Sequence, residues 1–239
     1  MTALDYAQYR TWKGWDDASF GQCAADAAIY YSQELRRSGI GSLQDRRVLE
    51  VGFGNGQFAG WCRGTGADYI GIEAIAELVA KARQVGLNAH DASEPWGSYL
   101  ADGSLDLVVA FDVFEHLRAD ALLGVLRSMR KALRPSGRLI ARVPSADSPF
   151  SRAIQHGDMT HQCAIGSSMV RQLAAQAGFN VDGLREPTFP LRGMGVMKWL
   201  RRASVVACRR LAYPLIAQAF MGGGRPVLTP NLVFVLVKP

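Results

Sequence analysis

From Arg47 to Gln57 a short apolar strand, Arg47-Val-Leu-Glu-Val51, runs into Gly52-Phe-Gly-Asn-Gly56, and the residues after it are patterned for a helix. Glycines at Gly52, Gly54 and Gly56 let the backbone take positive φ and approach a ligand closely, because no Cβ stands in the way. A second strand follows at Tyr69-Ile-Gly-Ile-Glu73, then a helical pattern from Ala74 to Val85 that stops at Gly86. Strand, helix and strand in that order form a βαβ unit, which requires parallel strands and a crossover.

The alternation continues. A third strand is expected from Leu87 to His90, ending at Asp91, and Leu105 to Phe111 is an unbroken apolar run suited to a strand covered on both faces. A helix is expected from Ala119 to Leu133, stopped by Pro135 and Gly137, and a strand from Arg138 to Val143, closed by Pro144. Residues 145–165 show no clear period. Ser167 to Ala177 reads as a helix, and Phe179 to Leu184 and Leu232 to Val237 read as the final strands. Ahead of the first strand, a helix is expected from about Asp16 to Arg37. The aromatics Tyr6, Tyr9, Trp12, Trp15 and Phe20 either close over a cleft or pack this leader onto the sheet.

A chain of 239 residues with 49% hydrophobic and 20% charged content can bury a full core, which excludes wholesale disorder. Cys23, Cys62, Cys163 and Cys208 are scattered, so neither a disulfide framework nor a zinc knuckle is expected. With Asp5 early and no apolar run at the start, the chain reads as cytoplasmic.

The glycine spacing is G-x-G-x-G, not the G-x-G-x-x-G of dinucleotide enzymes, and Glu50 stands two residues before it. Glu73 closes the second strand, where a carboxylate can accept from both ribose hydroxyls of an adenosine. Asp91 closes the third, in reach of an adenine amine, and Asp112 closes the fourth. All sit at carboxyl ends of strands, the edge where open α/β sheets bind ligands. This order resembles the class I S-adenosylmethionine-dependent methyltransferases over roughly residues 46–187. The resemblance implies an α/β, three-layer Rossmann-like sandwich with a seven-stranded, mostly parallel sheet and an antiparallel last strand. It also implies S-adenosyl-L-methionine as cofactor, with S-adenosyl-L-homocysteine as product. Glu50 would hold the cofactor's amino end, Gly52, Gly54 and Gly56 would line its path, Glu73 would grip the ribose, and Asp112 would lie beside the methionine part. Phe53 departs from the small or polar residue usual at its position.

Phe111-Asp-Val-Phe-Glu-His-Leu117 resembles the post-strand motif of the small-molecule branch, which includes quinone and sugar O-methyltransferases. It does not resemble the Asn/Asp-Pro-Pro-Tyr/Phe motif of amino-methylating nucleic-acid enzymes. An aliphatic hydroxyl acceptor needs a base or a metal, and His116 is the first candidate for the base, against a loop-capping role. If a helical turn starts at the strand end, Asp112 and His116 share a face. A second cluster, His156-Gly-Asp158-Met-Thr-His161, resembles a pattern in bacterial methyltransferases of polysaccharide and lipopolysaccharide biosynthesis, and is expected at the acceptor site. A divalent metal held by His156, Asp158 or His161 is open but not predicted, since carboxylates are few. His90 is read as structural.

The expected function is therefore O-methylation of a sugar hydroxyl in bacterial surface-glycan (lipopolysaccharide or capsule) biosynthesis. The alternatives are methylation of a quinone or other amphiphile, a nucleic-acid-binding methyltransferase, and a non-catalytic cofactor-binding subunit. The acceptor is expected to be a small molecule or glycan, anionic, and not a nucleic acid.

Charge is uneven along the chain. Beyond Glu186 lie eight cations and no acid, so against a total of +6 the first 186 residues carry −2. A helical wheel over Val196 to Ala212 gathers Trp199, Leu200, Ala203, Val206, Ala207 and Leu211 on one side and Lys198, Arg201, Arg202 and Arg209 on the other. This segment reads as a basic amphipathic insertion at about 192–225, before the last strand. One reading is peripheral contact with a lipid or glycan phosphate through 196–212. The other is an apolar side that covers the core with its cations merely solvated. The domain division expected is a leader at 1–45 covering the cleft and a cofactor-binding domain at 46–239.

Overall fold

The unbroken apolar run becomes the centre of the sheet. In the computed structural model, which describes residues 11–15, 17–191, 195–222 and 227–239, Leu105–Phe111 (β4) lies between Arg47–Val51 (β1) and Leu133–Pro144 (β5), parallel to both. Outside β1 come Asp68–Glu73 (β2) and Ala89–Asp91 (β3), both parallel. Outside β5 come Asn231–Val237 (β7), antiparallel to β5, and Asn180–Arg185 (β6), antiparallel to β7. The order β3-β2-β1-β4-β5-β7-β6 is a seven-stranded sheet with only its last strand reversed. The expected fold is the observed one.

Alternate residues of the central strands feed opposite layers, as the strand period of two requires. Val108 and Ala110 face Ala119–Ala132 (α4) and Ser167–Ala177 (α6) through Leu122, Leu126, Met129, Val170 and Ala174. Leu107 and Val109 face Ala25–Arg37 (α1) and Gln57–Arg63 (α2) through Tyr31, Leu35, Phe58 and Cys62. Ala76–Gln84 (α3) adds a smaller cluster in which Phe53 is buried with Phe20, Leu78 and Val79, so the unusual residue of the glycine turn is a core anchor.

Three boundaries differ from the sequence reading. α1 begins at Ala25, not near residue 16. The chain before it lies flat on the glycine turn, with the Gly21 amide donating to the Asn55 carbonyl at 2.9 Å. β5 starts at Leu133, directly after α4, because Ser136 takes φ +62° and a register irregularity carries Pro135 and Gly137 within the strand. In the stretch without period, a 3-10 turn at Pro149–Ser151 runs into the single helical turn Arg152–Gln155 (α5). His90 is structural: its ring stacks on Tyr99 at 3.7 Å and bonds Glu94 and Asn88.

The insertion forms one 25-residue helix, Val196–Phe220 (α7), which continues through Pro214. It is turned opposite to the reading in which its apolar side covers the core. Lys198 bonds Asp26 of α1, Arg202 donates to the Pro190 carbonyl, and the guanidinium groups of Arg202 and Arg209 each lie 5.0 Å from the Phe189 ring. Lys198, Arg202 and Arg209 therefore face the domain, while Val196, Met197, Leu200, Leu211 and Leu215 face outward. Among the described residues only Ala217 of α7 is fully buried. The Phe189 and Asp26 surface accounts for the reversal, because it offers cation-binding partners where an apolar groove would be needed. Tyr6, Tyr9, Arg192 and Arg225 lie outside the described residues.

Leu126 is 2% exposed in the larger core layer. Leu126→Ala is expected to cost about 2–5 kcal/mol of unfolding free energy, read as a lower midpoint in chemical denaturation with unchanged slope.

Candidate active site

The glycine turn owes its shape to backbone freedom at the end of β1. Gly52 and Gly54 have φ of +73° and +51°. A Cβ on Gly52 would stand 2.5 Å from a Val113 methyl, and one on Gly54 would stand 2.9 Å from the Trp15 ring. Side chains are thus excluded by both torsion and space. The Gly54 amide donates to Glu73 Oε2 at 2.9 Å, and Glu73 Oε1 accepts from the Ala74 and Ile75 amides at 2.7 and 3.2 Å. Glu73 therefore ties the turn to the end of β2.

Glu50 is buried at the end of β1 and accepts from the Tyr69 hydroxyl at 2.6 Å. Neither Glu50 nor Glu73 has a Lys, Arg or His partner among the described residues. Burial pushes the Glu50 carboxyl up to about 8, with the Tyr69 bond opposing and the Glu73 charge adding. Burial raises Glu73 too, against the pull of its three amides. Two buried carboxylates without a cation at one sheet edge form a site for a positively charged ligand. A sulfonium cofactor bearing an amino group fits that donor set: Glu50 suits the amino end, and Glu73 suits the ribose.

Asp91 and Asp112 have local partners. Asp91 Oδ1 accepts from the Ser93 amide at 2.8 Å and the Ser93 hydroxyl at 2.6 Å, a turn-capping arrangement that holds its carboxyl below the usual range. Asp112 takes φ +57°, and its carboxylate pairs with the Arg142 guanidinium, Nε to Oδ1 being 2.8 Å. The shared helical face expected for Asp112 and His116 is not formed. A 3-10 turn at Phe114–His116 follows the strand in place of an α-turn, so Asp112 meets Arg142 while His116 goes to the loop after α5.

That loop and the 3-10 turn build a buried polar cluster. The Gln162 and Cys163 amides donate to the Glu115 carbonyl at 2.7 and 3.1 Å, and Gln162 Nε2 donates to the His116 carbonyl at 3.0 Å. Asp158 accepts from the Thr160 amide at 3.0 Å, the Thr160 hydroxyl at 2.6 Å and Lys13 Nζ at 3.0 Å. Burial opposes its ionisation, yet the Thr160 and Lys13 bonds outweigh it and hold the carboxyl at about 2. Thr160 Oγ1 also meets His116 Nδ1 at 2.7 Å. A hydroxyl has one proton, and with that proton on Asp158 it must accept from His116 Nδ1–H. His116 Nε2 is then an unprotonated lone pair, and burial, followed by the neighbouring His161, lowers the imidazole's affinity for a second proton.

His161 is fixed the same way, its Nδ1 meeting the Gln155 carbonyl at 2.9 Å. Its Nε2 lies 3.8 Å from Asp158 Oδ2 and 4.0 Å from Glu115 Oε1, and its ring stands edge-on to His116 at 4.7 Å. Glu115 is 1% exposed, and its Oε2 has no hydrogen-bond partner. Burial, with the Asp112 charge adding, pushes its carboxyl up to about 8. Ligand atoms of Glu115, His116 and His161 lie within 4.8 Å of one another, the spacing of a set that could close on a metal ion.

The structure thus brings together His116, Asp158 and His161. His156, exposed at the end of α5, makes none of these bonds among the described residues. Sequence reasoning did not single out Glu115, Thr160, Lys13 or Arg142. Glu115 and Thr160 adjoin singled-out histidines, which was their one signal, while Lys13 is 145 residues from Asp158.

The comparisons give the family and the fold. A family described as a methyltransferase domain matches residues 25–184. An uncharacterized methyltransferase of Mycolicibacterium gilvum is 26% identical over 232 residues, covering 92% of this chain and 87% of that protein. A ribosomal RNA small subunit methyltransferase C of Chromohalobacter salexigens is 30% identical over 142 residues, 57% of this chain and 42% of that protein. The crystal structure of a SAM-dependent methyltransferase from Archaeoglobus fulgidus superposes with a TM-score of 0.62 at 16% identity, covering 99% of this chain and all of that one.

The raised Glu50 carboxyl carries a stability signature. Its folded-state value lies above the usual 4.5, so its contribution is fully present below pH 4.5 and is lost as pH rises toward 8. The stability of the wild type relative to Glu50→Gln should therefore fall across that window in paired thermal melts. A difference independent of pH would refute the buried, unpaired carboxyl.

Proposed function

The chain belongs to the methyltransferase domain family, and from that premise we propose that it uses S-adenosylmethionine to methylate a hydroxyl group, namely a sugar hydroxyl of a bacterial surface glycan. The observation that carries the hydroxyl reading is the bond chain Asp158, Thr160, His116, which leaves His116 Nε2 free to take a proton. The sugar is supported by the likeness of the Asp158 to His161 motif to polysaccharide-biosynthesis enzymes.

S-adenosylmethionine supplies a methyl group on a sulfonium that leaves as a neutral thioether. His116 Nε2 would take the acceptor's proton as the acceptor oxygen accepts the methyl group that the sulfonium would supply. Asp158, acting through Thr160, stabilises the imidazolium that results and keeps the ring from turning. Asp158 and Thr160 are positioning residues in this scheme.

A second reading of the activation step rests on Glu115. The Glu115 carboxylate and one ring nitrogen each of His116 and His161 would hold a divalent cation that lowers the acceptor's pKa directly. Activity that survives exhaustive chelation excludes this reading. Activity lost to chelation and restored by a divalent ion replaces the free base with the metal.

His116→Ala is expected to lower kcat by about 10²–10⁴-fold while cofactor affinity in calorimetry stays near wild type. Thr160→Val should lower kcat less and shift the acid limb of the pH profile, which in the wild type lies below the ordinary histidine value of 6.5. Unchanged turnover in His116→Ala would remove it from the mechanism. For the acceptor, labelled methyl is expected in the glycan fraction of a cell extract. Label in the quinone fraction or in ribosomal RNA, the substrate named for the Chromohalobacter relative, would overturn the sugar reading.

A further inference from the structure

We propose that the outward side of α7 docks on an anionic lipid surface, with the helix lying in the plane of the headgroups. The proposal begins with the reversed packing of this helix. Lys198, Arg202 and Arg209 are engaged by Asp26, the Pro190 carbonyl and Phe189, so rotating the helix to bury its apolar residues would break those contacts. The apolar residues are left outside: Met197 is 78% exposed, Leu211 75%, Leu215 72% and Leu200 50%. With Val196, Ala207 and Cys208 they fall on one arc of the wheel. At 1.5 Å per residue the stripe from Val196 to Leu215 is about 28 Å long. Scattered exposed apolar side chains are ordinary, but a stripe along one helix, interrupted only by Ser204, marks a contact surface.

Charge selects the occupant. Arg201 and Arg210, both exposed, border the stripe on its two sides, and the chain beyond Glu186 holds no acid at all. An apolar ridge flanked only by cations suits acyl chains beneath an anionic headgroup layer. The surface is the convex side of a single helix, which inserts shallowly into a bilayer but offers no groove to a peptide. No described helix is long and apolar enough to cross a membrane, so the contact is one of lying on the surface.

Topology gives the docking a direction. β6 runs parallel to β5, and β7 returns antiparallel, pairing Asn231 with Pro144. α7 therefore leaves from and returns to the carboxyl edge of the sheet, the edge that carries the glycine turn and the His116 cluster. Seating α7 on a membrane brings that edge to the headgroup plane. The docking does not depend on which acceptor is methylated.

The test is co-sedimentation of the full chain with vesicles of phosphatidylglycerol and phosphatidylcholine, against vesicles of phosphatidylcholine alone. The bound fraction should be at least tenfold greater on the anionic vesicles and should fall with added salt. Leu200→Asp with Leu211→Asp should abolish binding, and Arg201→Ala with Arg210→Ala should remove its charge preference. Neither pair touches the cofactor machinery, so S-adenosylmethionine binding by calorimetry serves as the folding control. A wild type that does not bind, or binds both vesicles equally, overturns the proposal. So does retention of vesicle binding by the aspartate variant with cofactor binding intact. A concentration-dependent dimer that the aspartate variant dissociates would assign the stripe to a second copy and overturn it equally. Each of these failures leaves cofactor binding and methyl transfer untouched.

Discussion

Two carboxyl groups buried near the ends of β1 and β2 set the terms for the rest of the molecule. Burying a charge without a counter-charge is costly, and the chain offsets that cost only in part. Glu73 receives three backbone amides, one of which is that of Gly54, and Glu50 receives one phenol. The amide of Gly54 reaches Glu73 because the turn runs through positive φ, and the turn keeps that path because Phe53 is anchored in the core. What remains unmet is positive charge, which a sulfonium and an amino group bring.

The buried polar cluster is built from three distant parts of the chain. Lys13 comes from the leader, Glu115 and His116 from the turn after β4, and Asp158, Thr160 and His161 from the loop after α5. The leader touches both halves of the site, with Trp15 over Gly54 and Lys13 on Asp158. Thr160 gives the cluster its chemical direction: as donor to one group and acceptor from another, it converts the charge of Asp158 into a defined tautomer of His116. An isolated histidine at that position would share its proton between two nitrogens.

Much of this was legible in the sequence. The apolar run at Leu105–Phe111, the glycine turn, and the carboxylates at strand ends follow from period and spacing, and they fix the sheet and its ligand-binding edge. What was not legible depends on contacts between distant segments. Asp112 and His116 are four residues apart, but a positive φ at Asp112 and a 3-10 turn send them to different partners. The orientation of α7 could not be read from its wheel, because Phe189 and Asp26 decide which arc is engaged. Thr160 carries no signal beyond its place beside His161, and Lys13 none at all.

The carboxyl left without a counter-charge at the sheet edge is tested most directly by counting protons when S-adenosylmethionine binds. At pH 7 the Glu50 carboxyl, pushed up to about 8, is mostly protonated in the free protein, and a cationic ligand drives the proton off. Calorimetric titrations in buffers of different ionisation heat should show release approaching about one proton per cofactor at pH 7. That release should shrink as pH rises past 8 and vanish in Glu50→Gln. Binding without proton release at any pH, or an equal release in Glu50→Gln, would contradict the account.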